Sequence, residues 1–145
     1  MKEVHIYLYS TIKGCRKCNG AYTYILEADT SKGIITRYKT ERVENVTAHK
    51  SVLLALSAAL KRIRQNSYLV IYTDSNYVAV NTKDSLAKWK KNGWKTARGE
   101  QVKNQEEWQE IEQLIKQHSF EFVVAPWNCY YQWMKEESEK TVGCI

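Results

Sequence analysis

Residues 68–73 read Tyr-Leu-Val-Ile-Tyr-Thr, a nearly continuous run of β-branched and aromatic residues. Such a run fits a strand buried on both faces of a sheet. What precedes it sets the architecture. Residues 4–9 (VHIYLY), 21–26 (AYTYIL) and 34–38 (IITRY) are strand-like, and turn residues fill the connections 13–20 and 29–33, the signature of an antiparallel meander. The period then changes: Val52, Leu53, Leu56, Ala59, Leu60 and Ile63 fall at helical spacing. Thr47 is the predicted N-cap, and Lys61, Arg62 and Arg64 are expected at the negative end of the helix dipole.

Beyond residue 73, residues 76–117 are helical in tendency but broken near Gly93 and Gly99. Asn104 is expected to cap a helix whose Trp108, Ile111, Leu114 and Ile115 share one face. FEFVVA (120–125) reads as a last strand stopped by Pro126, and YYQWMKEESEK (130–140) as a short final helix. The order β-β-β-α-β-α-α-β-α gives an α/β, or mixed α+β, class. It predicts a five-stranded mixed sheet, a meander followed by α/β units, with helices on both faces.

The 145 residues fit one domain, 1–145. Apolar content is 43% and no apolar run approaches the ~18 residues of a membrane span. The amino-terminal MKEVHIYLYS alternates apolar with polar residues and lacks a cleavage site, so it reads as a strand rather than a signal peptide. A cytoplasmic protein is expected. Net charge is +6, which suits a polyanionic partner such as nucleic acid and equally a merely basic protein. Cys15 and Cys18 form a CxxC, but Cys129 and Cys144 supply no second close pair. Ordinary reduced thiols fit this better than a zinc or redox site.

An acid, Asp74, ends the strand of residues 68–73 and is followed by Ser75, Asn76 and Tyr77. Together TDSNYV (73–78), KWKKNGWKTA (88–97), VKNQEEW (102–108) and the element order resemble bacterial-type ribonuclease H over nearly the whole chain. The resemblance implies the ribonuclease H-like fold and cleavage of the RNA strand of RNA–DNA hybrids by two Mg²⁺ ions (Mn²⁺ being the alternative), about 3.5–4 Å apart. It implies carboxylates at four places, because hard cations want anionic oxygens. Here only Asp74 matches. Tyr9 or Ser10 stands at the first place, depending on the direction of alignment, Val52 at the second and Ser138 at the fourth. Glu3 is the only acid in the first twenty residues, and none occurs from 46 through 73. Glu137 and Glu139 flank Ser138, so a one-residue slip could bring Glu137 to a weak metal site with Asp74. Asn128 replaces the family's loop histidine.

The family's basic protrusion is retained in sequence: Lys88, Lys90, Lys91, Lys95, Arg98 and Lys103 surround Trp89 and Trp94. Lysines supply the phosphate term of binding, and aromatic faces pack on sugars or bases. Thr96 and Asn104 suit hydrogen bonds to a duplex. Thr47 matches a position near bound phosphate and Asn76 a groove-reading one, while Ala48 and His49 replace asparagine-like residues. Taken singly, the lysines are solvated charges, Trp94 and Trp108 are core residues, His49 is a helix-surface residue and Asn76 a helix cap. Three functions remain open. One is a nucleic-acid-binding homologue, for hybrid or other duplex, that has lost standard cleavage. The second is an active hybrid endoribonuclease with an altered metal site. The third is a protein-interaction scaffold whose Tyr9, Val52, Tyr130, Tyr131 and Trp133 converge on one apolar surface.

Overall fold

The computed structural model describes residues 2–14 and 16–143. Five strands, β1 (Lys2–Ser10), β2 (Cys18–Thr30), β3 (Gly33–Val46), β4 (Ser67–Thr73) and β5 (Ser119–Val124), form one sheet in the order β3-β2-β1-β4-β5. The first three pair antiparallel, and β4 and β5 are added parallel. This is the expected mixed sheet. The ribbon β2–β3 is longer than the sequence segments suggested. It starts at Cys18, and an irregularity between Cys18 and Gly20 lets it continue past the apolar stretch. Cys15 lies outside the described residues, as does Cys144; Cys18 and Cys129 are exposed free thiols.

Period-2 alternation divides the side chains between two layers. Val4, Ile6 and Leu8 of β1, with Tyr22, Tyr24 and Leu26 of β2, enter the main core under α1 (Ala48–Leu60). Tyr7, Tyr9 and Ile25 point the other way, against Met134 of α5 (Tyr131–Gly143). Leu69 and Ile71 are fully buried in the middle of β4. Each buried aliphatic side chain of this kind contributes roughly 1.5–3 kcal/mol.

α1 begins as predicted, with Thr47 Oγ1 accepting from Lys50 N at 3.2 Å. It ends earlier than expected. Lys61 is the C-cap and Arg62 and Arg64 lie beyond it, so no basic residue occupies the last turn. After β4, α2 (Asn76–Val80) passes through a wide π turn at Asn81–Ser85 into α3 (Leu86–Lys91), and α4 (Gln105–Ile115) packs back on α1. Trp108 is the largest fully buried side chain, as expected for the core. Its Nε1 donates to the Tyr77 hydroxyl at 3.2 Å. No helix among the described residues is long and apolar enough to cross a membrane.

Candidate functional site

The C-terminal ends of β1 and β4 adjoin because these strands are parallel neighbours, and the start of α1 closes the third side. The resulting cleft, about 340 Å³, is lined by Ser10, Lys13, His49, Val52, Asp74 and Asn76 among others. Asp74 is exposed, one residue past β4. Neither it nor Asn76 caps the next helix. Ser75 does, its Oγ accepting from Val78 N at 3.2 Å.

The remaining acid positions implied by the resemblance carry other chemistry. Ser10 lines the cleft and is buried; its Oγ lies 2.7 Å from Ser51 Oγ and accepts from Ile12 N at 3.0 Å. Tyr9 turns to the α5 layer, where its ring meets Tyr131 edge-on. Burial pushes the Tyr9 hydroxyl up to about 12, helped by Tyr131, Glu139 and Asp74. Val52 is buried in the main core at the cleft wall. Ser138 is fully buried, with its Oγ 2.6 Å from Thr23 Oγ1. Of the two acids beside Ser138, Glu139 is the one whose charge reaches Tyr9. Glu139 pairs with Lys135, and Glu137 with Lys140.

Sequence reasoning passed over Lys13. Its Nζ donates to Asp74 Oδ2 at 3.3 Å and lies 4.7 Å from the centre of the Tyr9 ring. A lysine in a turn carries no periodic signal. The single carboxylate that lines the cleft among the described residues is therefore charge-paired. Two divalent ions require several anionic oxygens, and one paired carboxylate among hydroxyl, imidazole, amide and isopropyl groups does not fit them. Among the described residues, no three His, Cys, Asp or Glu side chains come together to hold a metal ion.

His49 is exposed at its edge, yet its ring lies flat on Tyr77, with centroids 3.9 Å apart. Burial and then the charge of Lys103 hold its imidazole below the ordinary value. Tyr77 also lines the cleft and accepts from Trp108 of α4, so the helix that follows the protrusion packs beside the cleft. In the protrusion, Trp94 has φ +63°, a left-handed conformation unusual for a bulky residue. Two backbone bonds hold it, Trp94 N to Trp89 O at 2.7 Å and Val102 N to Trp94 O at 3.1 Å. Trp94 and Trp89 are half-buried against the main core, and Trp89 meets Trp108 edge-on. Thr96 Oγ1 accepts from Glu100 N at 3.2 Å, so it fixes the tip of the protrusion. Asn104 starts α4 in a left-handed conformation without a side-chain cap bond.

Lys90 pairs with Glu112 at 3.0 Å. Lys88, Lys91, Lys95, Arg98 and Lys103 are exposed and, among the described residues, pair with no carboxylate. The residues named for an apolar docking surface do not converge. Tyr9, Tyr130 and Tyr131 belong to the α5 layer, Val52 to the opposite one, and Trp133 packs on Tyr38.

Comparison with known proteins identifies the family and the fold. Residues 3–126 match the family model for RNase H. Ribonuclease H of Wolbachia sp. subsp. Drosophila simulans is 34% identical over 137 residues, covering 94% of this chain and 85% of that protein. Ribonuclease H of Clostridium botulinum is 35% identical over 127 residues, covering 85% and 82%. Among solved structures, LC9-RNase H1, described as a type 1 RNase H with the type 2 active-site motif, superposes with a TM-score of 0.79 at 18% identity, covering 99% of this chain and 73% of that one. A foamy viral protease-reverse transcriptase in complex with RNA/DNA hybrid superposes at 0.66 with 16% identity, covering 95% and 19%. The structures share the fold, and the sequence matches extend from β1 through β5 at a third identity: this chain belongs to the ribonuclease H family.

Proposed function

We propose that this protein binds RNA–DNA hybrid or another duplex nucleic acid along its basic protrusion and does not perform the family's two-metal cleavage. One observation carries the reading. Among the described residues, the only carboxylate lining the cleft, Asp74, is paired with Lys13, while the adjoining protrusion keeps five unpaired cations. Affinity for a duplex depends on neutralising backbone phosphates, which the protrusion supplies. Cleavage depends on charge density for divalent ions, which the cleft does not supply. Lys88, Lys91, Lys95 and Lys103 contact phosphates in this scheme, with Lys90 held back by Glu112. Trp89 and Trp94 brace the protrusion from the core side. Thr47, Asn76, Thr96 and Asn104 shape the groove-facing surface. A relative of the same fold holds an RNA/DNA hybrid in its solved complex, which supports the choice of ligand.

Filter binding on hybrid, double-stranded RNA and double-stranded DNA across a salt series tests this. Binding at low salt that weakens steeply with added salt is expected; no binding to any of the three contradicts it.

A second reading is an active hybrid endoribonuclease with an altered, weak Mg²⁺ or Mn²⁺ site at Asp74. It is favoured by relatives that carry the name ribonuclease H at about a third identity, and by Glu139, whose charge reaches the same Tyr9 hydroxyl as that of Asp74. Hybrid cleavage abolished by Asp74→Asn would establish it.

A further inference from the structure

The loop that carries Lys13 is built rather than loose. Thr11 N donates to Ala21 O at 2.9 Å, Ala21 N returns a bond to Thr11 Oγ1 at 3.1 Å, and Ile12 is buried at 3% exposure. This close crossing needs a glycine beneath it. A Cβ on Gly20 would stand 2.5 Å from Thr11 Oγ1 and 2.7 Å from Ile12 Cγ1. Lys13 leaves this anchor directly over the cleft, with the Tyr9 ring on one side and Asp74 on the other. Both partners favour a cation: the carboxylate by charge, the ring by its negative face. The other cleft groups, Ser10, His49 and Asn76, are neutral, so lysine and aspartate cancel and leave no net charge to repel a phosphate.

We propose that Lys13 is a resident cation in the place where the family sets a metal ion at Asp74. The cleft then takes a backbone phosphate directly from the ammonium and needs no divalent ion. An ammonium has three donors. Asp74 takes one, and the half-exposed Lys13 side chain leaves the others open to a phosphate oxygen. The same ammonium competes with divalent ions for Asp74. The phosphate half of this inference rests on the proposed nucleic-acid binding; the competition half does not.

Two measurements on the full chain separate them. Mn²⁺ binding, followed by electron paramagnetic resonance, is expected to tighten at least about fivefold in Lys13→Ala and to fall back in Lys13→Ala/Asp74→Asn. Equal Mn²⁺ affinity in wild type and Lys13→Ala overturns the resident-cation role, whatever the nucleic-acid result. Hybrid binding at fixed ionic strength is expected to be the same in EDTA and in Mg²⁺. It is expected to drop about fivefold in Lys13→Ala, to recover in Lys13→Arg, and to lose about 0.9 from the slope of log K against log salt per phosphate contact removed. Binding that requires Mg²⁺, or that ignores Lys13→Ala, overturns the phosphate role. Absence of any hybrid binding removes the proposed function while the Mn²⁺ comparison still decides the lysine's part.

Discussion

The hydroxyls of Ser138 and Thr23 lie 2.6 Å apart and are both fully buried, fastening α5 to the middle of β2 at a position where the sequence resemblance implies a carboxylate. Thr23 Oγ1 also lies 2.7 Å from Thr40 Oγ1, so three hydroxyls link helix, inner strand and edge strand. Ser138→Ala leaves Thr23 its bond to Thr40 and is expected to cost about 1 kcal/mol. Ser138→Asp buries a charge among hydroxyls in a site with no exposure and is expected to cost more, on the order of 3 kcal/mol. Urea unfolding of both variants measures the difference. Equal stability of the aspartate variant and wild type would show that the site tolerates the family's acid.

Gly20 admits Thr11 and Ile12 by having no Cβ. Gly20→Ala pushes against two side-chain atoms close to their own backbone, so the loop must shift. A loss of about 1–3 kcal/mol is expected, as for other overpacked sites, again read from denaturant midpoints. Because the Lys13 loop moves with it, the variant's hybrid affinity is expected to fall as well.

The protrusion's lysines are not equivalent. Lys91 is free among the described residues, whereas Lys90 is paired with Glu112, which is 13% exposed. Lys91→Ala is expected to reduce the magnitude of the salt slope of hybrid binding by about 0.9 if it holds one phosphate. Lys90→Ala is expected to change that slope less. Binding isotherms at four or five salt concentrations distinguish the two variants.

His118 is buried, and its Nδ1 accepts from Ser67 N at 3.0 Å, tying the end of α4 to the start of β4. Burial holds its imidazole below the ordinary 6.5 in the folded protein, and His49 is lowered as well. In the unfolded chain both take protons near 6.5, so the unfolded state binds more protons as pH falls below that value. Stability is therefore expected to be level with respect to these groups above about pH 6.5. Below it, stability should decline by at most about 1.4 kcal/mol per pH unit from His118, and by less from His49, whose exposure to solvent screens it. His118→Gln, which keeps an acceptor without the titration, should flatten part of the decline in thermal unfolding scans from pH 8 to 5.

The pattern of the chain carried most of the fold, for physical reasons. The run at 68–73 is a central strand because Leu69 and Ile71 face one layer and Val70 the other. Thr47 caps α1 because its hydroxyl immediately precedes the helical period. Less legible were features that depend on contacts distant in sequence. The start of β2 at Cys18 is set by pairing with Val46, not by local apolarity. The cap at Ser75 and the π turn at Asn81–Ser85 are matters of backbone geometry within a continuous helical stretch. At the site, Asp74 was legible from its strand. Alternation along β1 could have shown that Tyr9 shares a face with Tyr7 and not with Ser10, and so could not meet Val52 on one surface. Lys13 was not legible, since only the crossing at Gly20 brings its ammonium to Asp74.

The most direct measurement is a cleavage assay. Labelled RNA–DNA hybrid is incubated with the full chain in Mg²⁺ and, separately, in Mn²⁺, beside Asp74→Asn. With a single carboxylate lining the cleft among the described residues and a lysine paired to it, RNA cleavage is expected to stay at the level of buffer in both metals and both proteins, while the hybrid is still bound. Metal-dependent cleavage by the wild type that Asp74→Asn abolishes would contradict the account.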